Sequence, residues 1–87
     1  MTKIYTYCLF DTRGEFLGVY SSLRAVHRDA LKFSNRGQSG VYMVADNNVT
    51  NPSLTSLRNF FKGKCDVEVV YRTNSTSIRI FKTKLKE

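Results

Sequence analysis

Few residues of this chain have the types and spacing that carry acid–base, nucleophilic or metal chemistry. There is one histidine in 87 residues. His27 falls one position after Val26 in a stretch of helical periodicity, and general acid–base work requires a partner held beside the imidazole. It reads as a boundary residue at the edge of an apolar stripe. The seven carboxylates are Asp11, Glu15, Asp29, Asp46, Asp66, Glu68 and Glu87. Only Asp66 and Glu68 alternate along one strand segment, where two oxygens near a lysine are the minimum of a magnesium-dependent nuclease. Two alternating carboxylates are equally the mark of an exposed strand edge. Cys8 and Cys65 lack metal-ligand spacing and read as two reduced thiols of a cytosol-like compartment. No phosphate-cradling glycine loop, zinc motif or nucleophile elbow is present. The sequence therefore predicts a protein that is not an enzyme, with no metal and no cofactor.

The basic residues are better organised. Fourteen Lys and Arg against seven Asp and Glu give a net charge of +7 and an isoelectric point near 9.7. An excess of this size in a small domain points to a polyanion, nucleic acid above all. Arg24, Arg28 and Lys32 recur every fourth residue, so on a helix they form one row, with Arg36 continuing it. Only Asp29 opposes them in that segment. Arg58, Lys62 and Lys64 form a second cluster, and Arg79, Lys82, Lys84 and Lys86 a third. Each such charge set against a phosphate displaces a counterion. The predicted nucleic-acid contacts are Arg24, Arg28, Lys32, Arg36, Arg58, Lys62 and Lys64, on DNA or RNA. Strand tyrosines (Tyr5, Tyr7, Tyr20, Tyr42 and Tyr71) interleave these charges and have faces on which unpaired bases stack.

The elements that position these residues form one series. Residues 3–10 and 15–20 are β-branched and aromatic around "DTRGE", where Asp11 and Gly14 suit a type I turn closed by a glycine bulge. The hairpin sets Phe10 against Phe16, Leu9 against Leu17 and Tyr7 against Val19. Ser21 or Ser22 caps a helix whose apolar stripe is Leu23, Val26, Ala30 and Phe33, stopped by Asn35 and Gly37. Residues 40–45, "GVYMVA", are a short strand expected at the centre of the sheet. "DNNVTNPSL" reads as a loop. A second helix runs from Ser53 to Lys62 with Leu54, Leu57 and Phe61 inward, ended by Gly63. A final hairpin, 66–72 with 76–84, turns at Asn74–Ser75 and pairs Tyr71 with Ile78 and Val69 with Ile80.

The whole of residues 1–87 is thus predicted to be a single small α+β domain, β-β-α-β-α-β-β, an antiparallel-rich sheet with two helices packed on one face. Residues 82–87 are expected as a frayed charged tail. No leader peptide and no membrane span are legible, which predicts a cytoplasmic protein. The first hairpin has large apolar groups on both faces. Tyr5, Tyr7, Leu9, Leu17 and Val19 are therefore the predicted patch for a homodimer or for docking on a host protein, the alternative to nucleic-acid binding.

Two stretches carry a family likeness. "GEFLGVYSSLRAV" and "SLTSLRNFFKGK", within residues 10–28 and 53–64, resemble the small modular DNA-binding repeats of phage homing endonucleases. In those repeats a hairpin leads through a serine pair into a helix, and a second helix stops at Lys-Gly-Lys. The resemblance implies that Ser56 and Arg58 face DNA with Arg24 near the backbone. It also implies a phage-encoded regulator or host-takeover factor working in the host cytoplasm. Between the two stretches the chain departs from the repeats: the first helix is longer and "SGVYMVA" inserts a strand.

Overall fold

The computed structural model describes residues 5–34 and 40–84. Its elements are β1 (Tyr5–Phe10), β2 (Phe16–Tyr20), α1 (Leu23–Ser34), β3 (Tyr42–Ala45), β4 (Asn48–Thr50), α2 (Leu54–Phe61), β5 (Val67–Arg72) and β6 (Ser77–Lys84). The six strands form one antiparallel sheet in the order β2-β1-β6-β5-β3-β4, with both helices on one side. This is the α+β layer pair expected. The last hairpin occupies the middle of the sheet, between the two earlier ones.

The sheet has one more strand than the sequence predicts. Asn48–Thr50, assigned to a loop, pairs back on β3 across a two-residue turn, Asp46–Asn47. Both turn residues have positive φ (51° and 67°), the geometry that favours short polar side chains and matches strand twist. Their presence puts β3 one place in from an edge rather than at the centre.

The β5–β6 hairpin has the expected register, Tyr71 opposite Ile78 and Val69 opposite Ile80, with Glu68 opposite Phe81 and Val70 opposite Arg79. In the β1–β2 hairpin only Phe10 opposite Phe16 is as expected. A bulge between Leu9 and Phe10 slips the rest, so Leu9 faces Gly18, Cys8 faces Val19 and Tyr7 faces Tyr20. Gly18 leaves room there for the Tyr20 ring, which would lie 3.4 Å from a Cβ at this position. The turn is held by Asp11, whose carboxylate accepts from the amides of Arg13 (2.9 Å) and Glu15 (2.8 Å), with Gly14 at φ +83°.

Ser22 caps α1, its hydroxyl accepting from the Ala25 amide at 3.1 Å, and Ser53 caps α2 in the same way through Ser56 at 3.0 Å. Each cap satisfies one of the first-turn amides that a helix cannot pair internally. Val26, Ala30, Leu57 and Phe61 project from the helices onto Leu9, Val69, Tyr71, Ile78 and Ile80 of the sheet. All nine are at most 3% exposed. The expected helix stop at Asn35 and Gly37 lies outside the described residues.

The tail is shorter than expected. Lys82–Lys84 are part of β6, paired with Tyr5–Tyr7, because the alternation of β6 continues through Lys82, whose long stem fits the helix-covered face. Residues 85–87 are outside the described residues.

Candidate nucleic-acid interface

Arg24, Arg28 and Lys32 stand together on the solvent side of α1, all three exposed. Val26 and Ala30 anchor the opposite side at 0% exposure, and Leu23 is half-buried at the rim. The row covers about 12 Å of helix axis, eight residues at about 1.5 Å each. The fourth predicted member, Arg36, lies outside the described residues.

The one acidic residue on this helix does not neutralise the row freely. Asp29 accepts a 2.6 Å hydrogen bond from the Tyr20 hydroxyl and meets the Arg28 guanidinium at 3.2 Å. The Tyr20 bond, with smaller contributions from Arg28 and Lys32, holds the Asp29 carboxyl below its ordinary value. Burial and the same bond push the Tyr20 phenol up to about 12. Among the described residues this is the only ion pair, so Arg24, Lys32, Arg58 and Lys62 face solvent with no acidic partner there.

The second cluster stands across a cleft from the start of α1. A cleft of about 330 Å³ where the first turn of α1 meets the end of α2 is lined by Leu23, Arg58, Lys62 and Lys82 among others. Arg58 and Lys62 are exposed at its edge. Lys64, also exposed, lies 4.2 Å over the Phe60 ring. α2 contains no carboxylate. On α1, α2 and the turn after α2, six cations are exposed, Arg24, Arg28, Lys32, Arg58, Lys62 and Lys64, and Asp29 is the one carboxylate.

The third cluster does not join them. Alternation along β6 splits it, with Arg79 on the face away from the helices and Lys82 beneath α2 at 7% exposure. The Lys82 amine donates to the Phe61 carbonyl and lies 4.4 Å over the Tyr5 ring. Lys84 is exposed at the strand end, and Lys86 is outside the described residues.

Other predicted residues are placed differently. In the patch Tyr5, Tyr7, Leu9, Leu17 and Val19, Tyr7 and Leu9 are core residues at 8% and 0% exposure, while Tyr5 and Leu17 are half-buried against that core. Odd positions of β1 point at the helices, so only Val19 of the five is exposed. The uncovered apolar groups of this hairpin are instead Phe16 and Val19, with Cys8 and Phe10 partly exposed between them. Tyr71 is fully buried and cannot stack a base. Its hydroxyl lies 2.5 Å from His27 Nδ1. Burial lowers the His27 pKa and raises that of Tyr71, so both rings are uncharged at neutral pH. Ser56, which the family likeness turns toward DNA, is half-buried and receives the Ser53 hydroxyl at 2.9 Å.

Asp66 sits at φ 59° and accepts from the Thr83 hydroxyl at 2.9 Å, whereas Glu68 projects from the open sheet face opposite Phe81. No group of three His, Cys, Asp or Glu converges among the described residues. Both cysteines are free thiols. No helix among the described residues is long and apolar enough to cross a membrane. No family model, curated protein or solved structure matches the chain.

Proposed function

We propose that this chain is a non-enzymatic nucleic-acid-binding protein that grips a phosphate backbone with the outer surface of its helical layer. The observation that carries this reading is the unmixed charge of that surface: six exposed Lys and Arg against one carboxylate already held by Tyr20 and Arg28. Successive members of the α1 row are about 6 Å apart along the axis, close to the spacing of phosphates along a strand. Arg58 and Lys62, across the cleft from Leu23, widen the row into a surface two helices broad. Backbone contacts of this kind supply affinity without base readout, so binding is largely sequence-independent and falls steeply with salt. The likeness of residues 10–28 and 53–64 to phage DNA-binding repeats supports a phage regulator or host-takeover factor acting in the host cytoplasm.

The test is a mobility-shift titration on duplex and single-stranded oligonucleotides at low and at physiological salt. A shift at micromolar protein that weakens strongly with salt is expected. No shift on either substrate at low salt would overturn the reading.

A further inference from the structure

The sheet face turned away from the helices is uncovered, with a largely apolar middle band. One cross-strand row traverses all six strands: Phe16, Phe10, Arg79, Val70, Val44 and Val49 each stand opposite the next. The adjacent row carries Val19, Cys8, Phe81 and Glu68. Phe16, Val19 and Val49 are 56%, 59% and 63% exposed. Two of these ten residues are charged, diagonal neighbours on the two central strands, and a third charge, exposed Arg72, stands at the rim of the face in the next row, between Tyr42 and Ser77. Arg79 and Glu68 are both exposed, and neither makes an ion pair or a hydrogen bond among the described residues. With Phe10 and Phe81 they line one shallow depression.

We propose that this face is the contact between two copies of the chain, packed sheet on sheet about a two-fold axis. In an isologous interface, if residue i of one copy meets residue j of the other, then j meets i. An axis lying in the interface, midway between Arg79 and Glu68 and perpendicular to the line joining them, sets each guanidinium over the other copy's carboxylate. One positive and one negative group, unpaired among the described residues and adjacent at the middle of the face, with Arg72 left at its rim, are what such an axis requires. Nucleic acid is a poorer occupant. Four of the apolar side chains are valines with no ring to stack a base, and Glu68 stands where a phosphate would have to pass.

The face is about 29 Å across six strands and about 18 Å along them, or about 1,000 Å² for a pair of copies, at the lower bound of specific interfaces. The dimer is therefore concentration-dependent rather than permanent. It leaves the two helical layers on opposite outer sides, so one dimer presents two basic surfaces and can bridge two nucleic-acid segments. Self-association at this face does not depend on whether the helices bind nucleic acid.

Sedimentation velocity without nucleic acid, from about 1 µM to about 200 µM protein, tests the proposal on four proteins: the parent, Glu68→Arg, Arg79→Glu and the double reversal. The parent should pass from monomer to dimer as concentration rises. Each single reversal should weaken dimerisation about tenfold or more, because like charges then meet across the axis. The double reversal should restore it. Circular dichroism verifies folding, which substitution of two exposed residues leaves intact. A parent that is monomeric throughout, or a double reversal no better than the singles, overturns the proposal. So does loss of single-stranded oligonucleotide binding in Phe81→Leu with a monomeric parent, which would give the face to nucleic acid. Glu68→Arg keeps the whole basic helical surface, so as a monomer it should still shift duplex DNA, separating failure of the dimer from failure of nucleic-acid binding.

Discussion

The Lys82 amine donates a 2.8 Å hydrogen bond to the Phe61 carbonyl, tying the strand at the middle of the sheet to the last turn of α2. The same carbonyl accepts from the Lys64 amide at 3.0 Å, and it lies at a helix C-terminus, where a cation is favoured by the helix dipole. The Tyr5 ring beneath the amine completes the site. Lys82 thus positions the end of α2, and with it Arg58 and Lys62, relative to the first turn of α1.

Lys82→Met keeps the aliphatic stem and removes the donor. The expected cost is about 0.5–1.5 kcal/mol, the net worth of one hydrogen bond, because the Phe61 carbonyl keeps the Lys64 amide as a donor. It should appear as a lower urea midpoint with an unchanged slope. Nucleic-acid affinity of the folded variant should fall by much less than on loss of an exposed row member, because Lys82 faces the core. An unchanged midpoint would show that the bond contributes nothing.

His27 makes stability depend on pH in one direction. Burial lowers its pKa in the folded state, so the unfolded chain binds the proton more readily. Stability is fully present above the unfolded value of about 6.5 and is lost as pH falls through the lower folded value. Urea midpoints between about pH 8 and pH 5 should therefore decline on the acid side, and His27→Gln should flatten that decline. A midpoint that rises as pH falls would contradict the assignment.

Val26→Asp sets a carboxylate with no partner into the fully buried helix–sheet contact. A domain of this size has about 4–13 kcal/mol of stability, and an uncompensated buried charge costs several kcal/mol. The variant should lose its cooperative thermal transition near neutral pH. A transition within a few degrees of the parent's would mean that α1 is not held as described.

How much of this was legible varied with local pattern. The register of the β5–β6 hairpin was readable to the residue, since Val69, Tyr71, Ile78 and Ile80 form an all-apolar face while Glu68, Arg72 and Arg79 mark the other. The i, i+4 spacing of Arg24, Arg28 and Lys32 likewise sufficed to put them on one exposed face. β1 was ambiguous because Tyr7 and Leu9 on one side and Cys8 and Phe10 on the other are all apolar, so alternation could not say which side the helices cover. That ambiguity put Tyr7 and Leu9 in a predicted surface patch. β4 was missed because Asn48, Val49 and Thr50 are too few and too exposed to show a period, though the polar pair Asp46–Asn47 ahead of them was a usable turn signal. Lys82 was taken for tail because its burial depends on Phe61 and Tyr5, distant in sequence.

The central claim is that the α1 row contacts phosphates. The direct measurement is the slope of log affinity against log salt for duplex DNA, compared between the parent and the triple variant Arg24→Gln, Arg28→Gln, Lys32→Gln. All three residues are exposed, so the variant should fold with a change within about 0.5 kcal/mol per site. Its affinity should fall, and its slope should flatten by up to about 2.7, three contacts at about 0.9 each. A triple variant that binds as tightly as the parent with the same slope would contradict the account and leave the row as a solvated helix face.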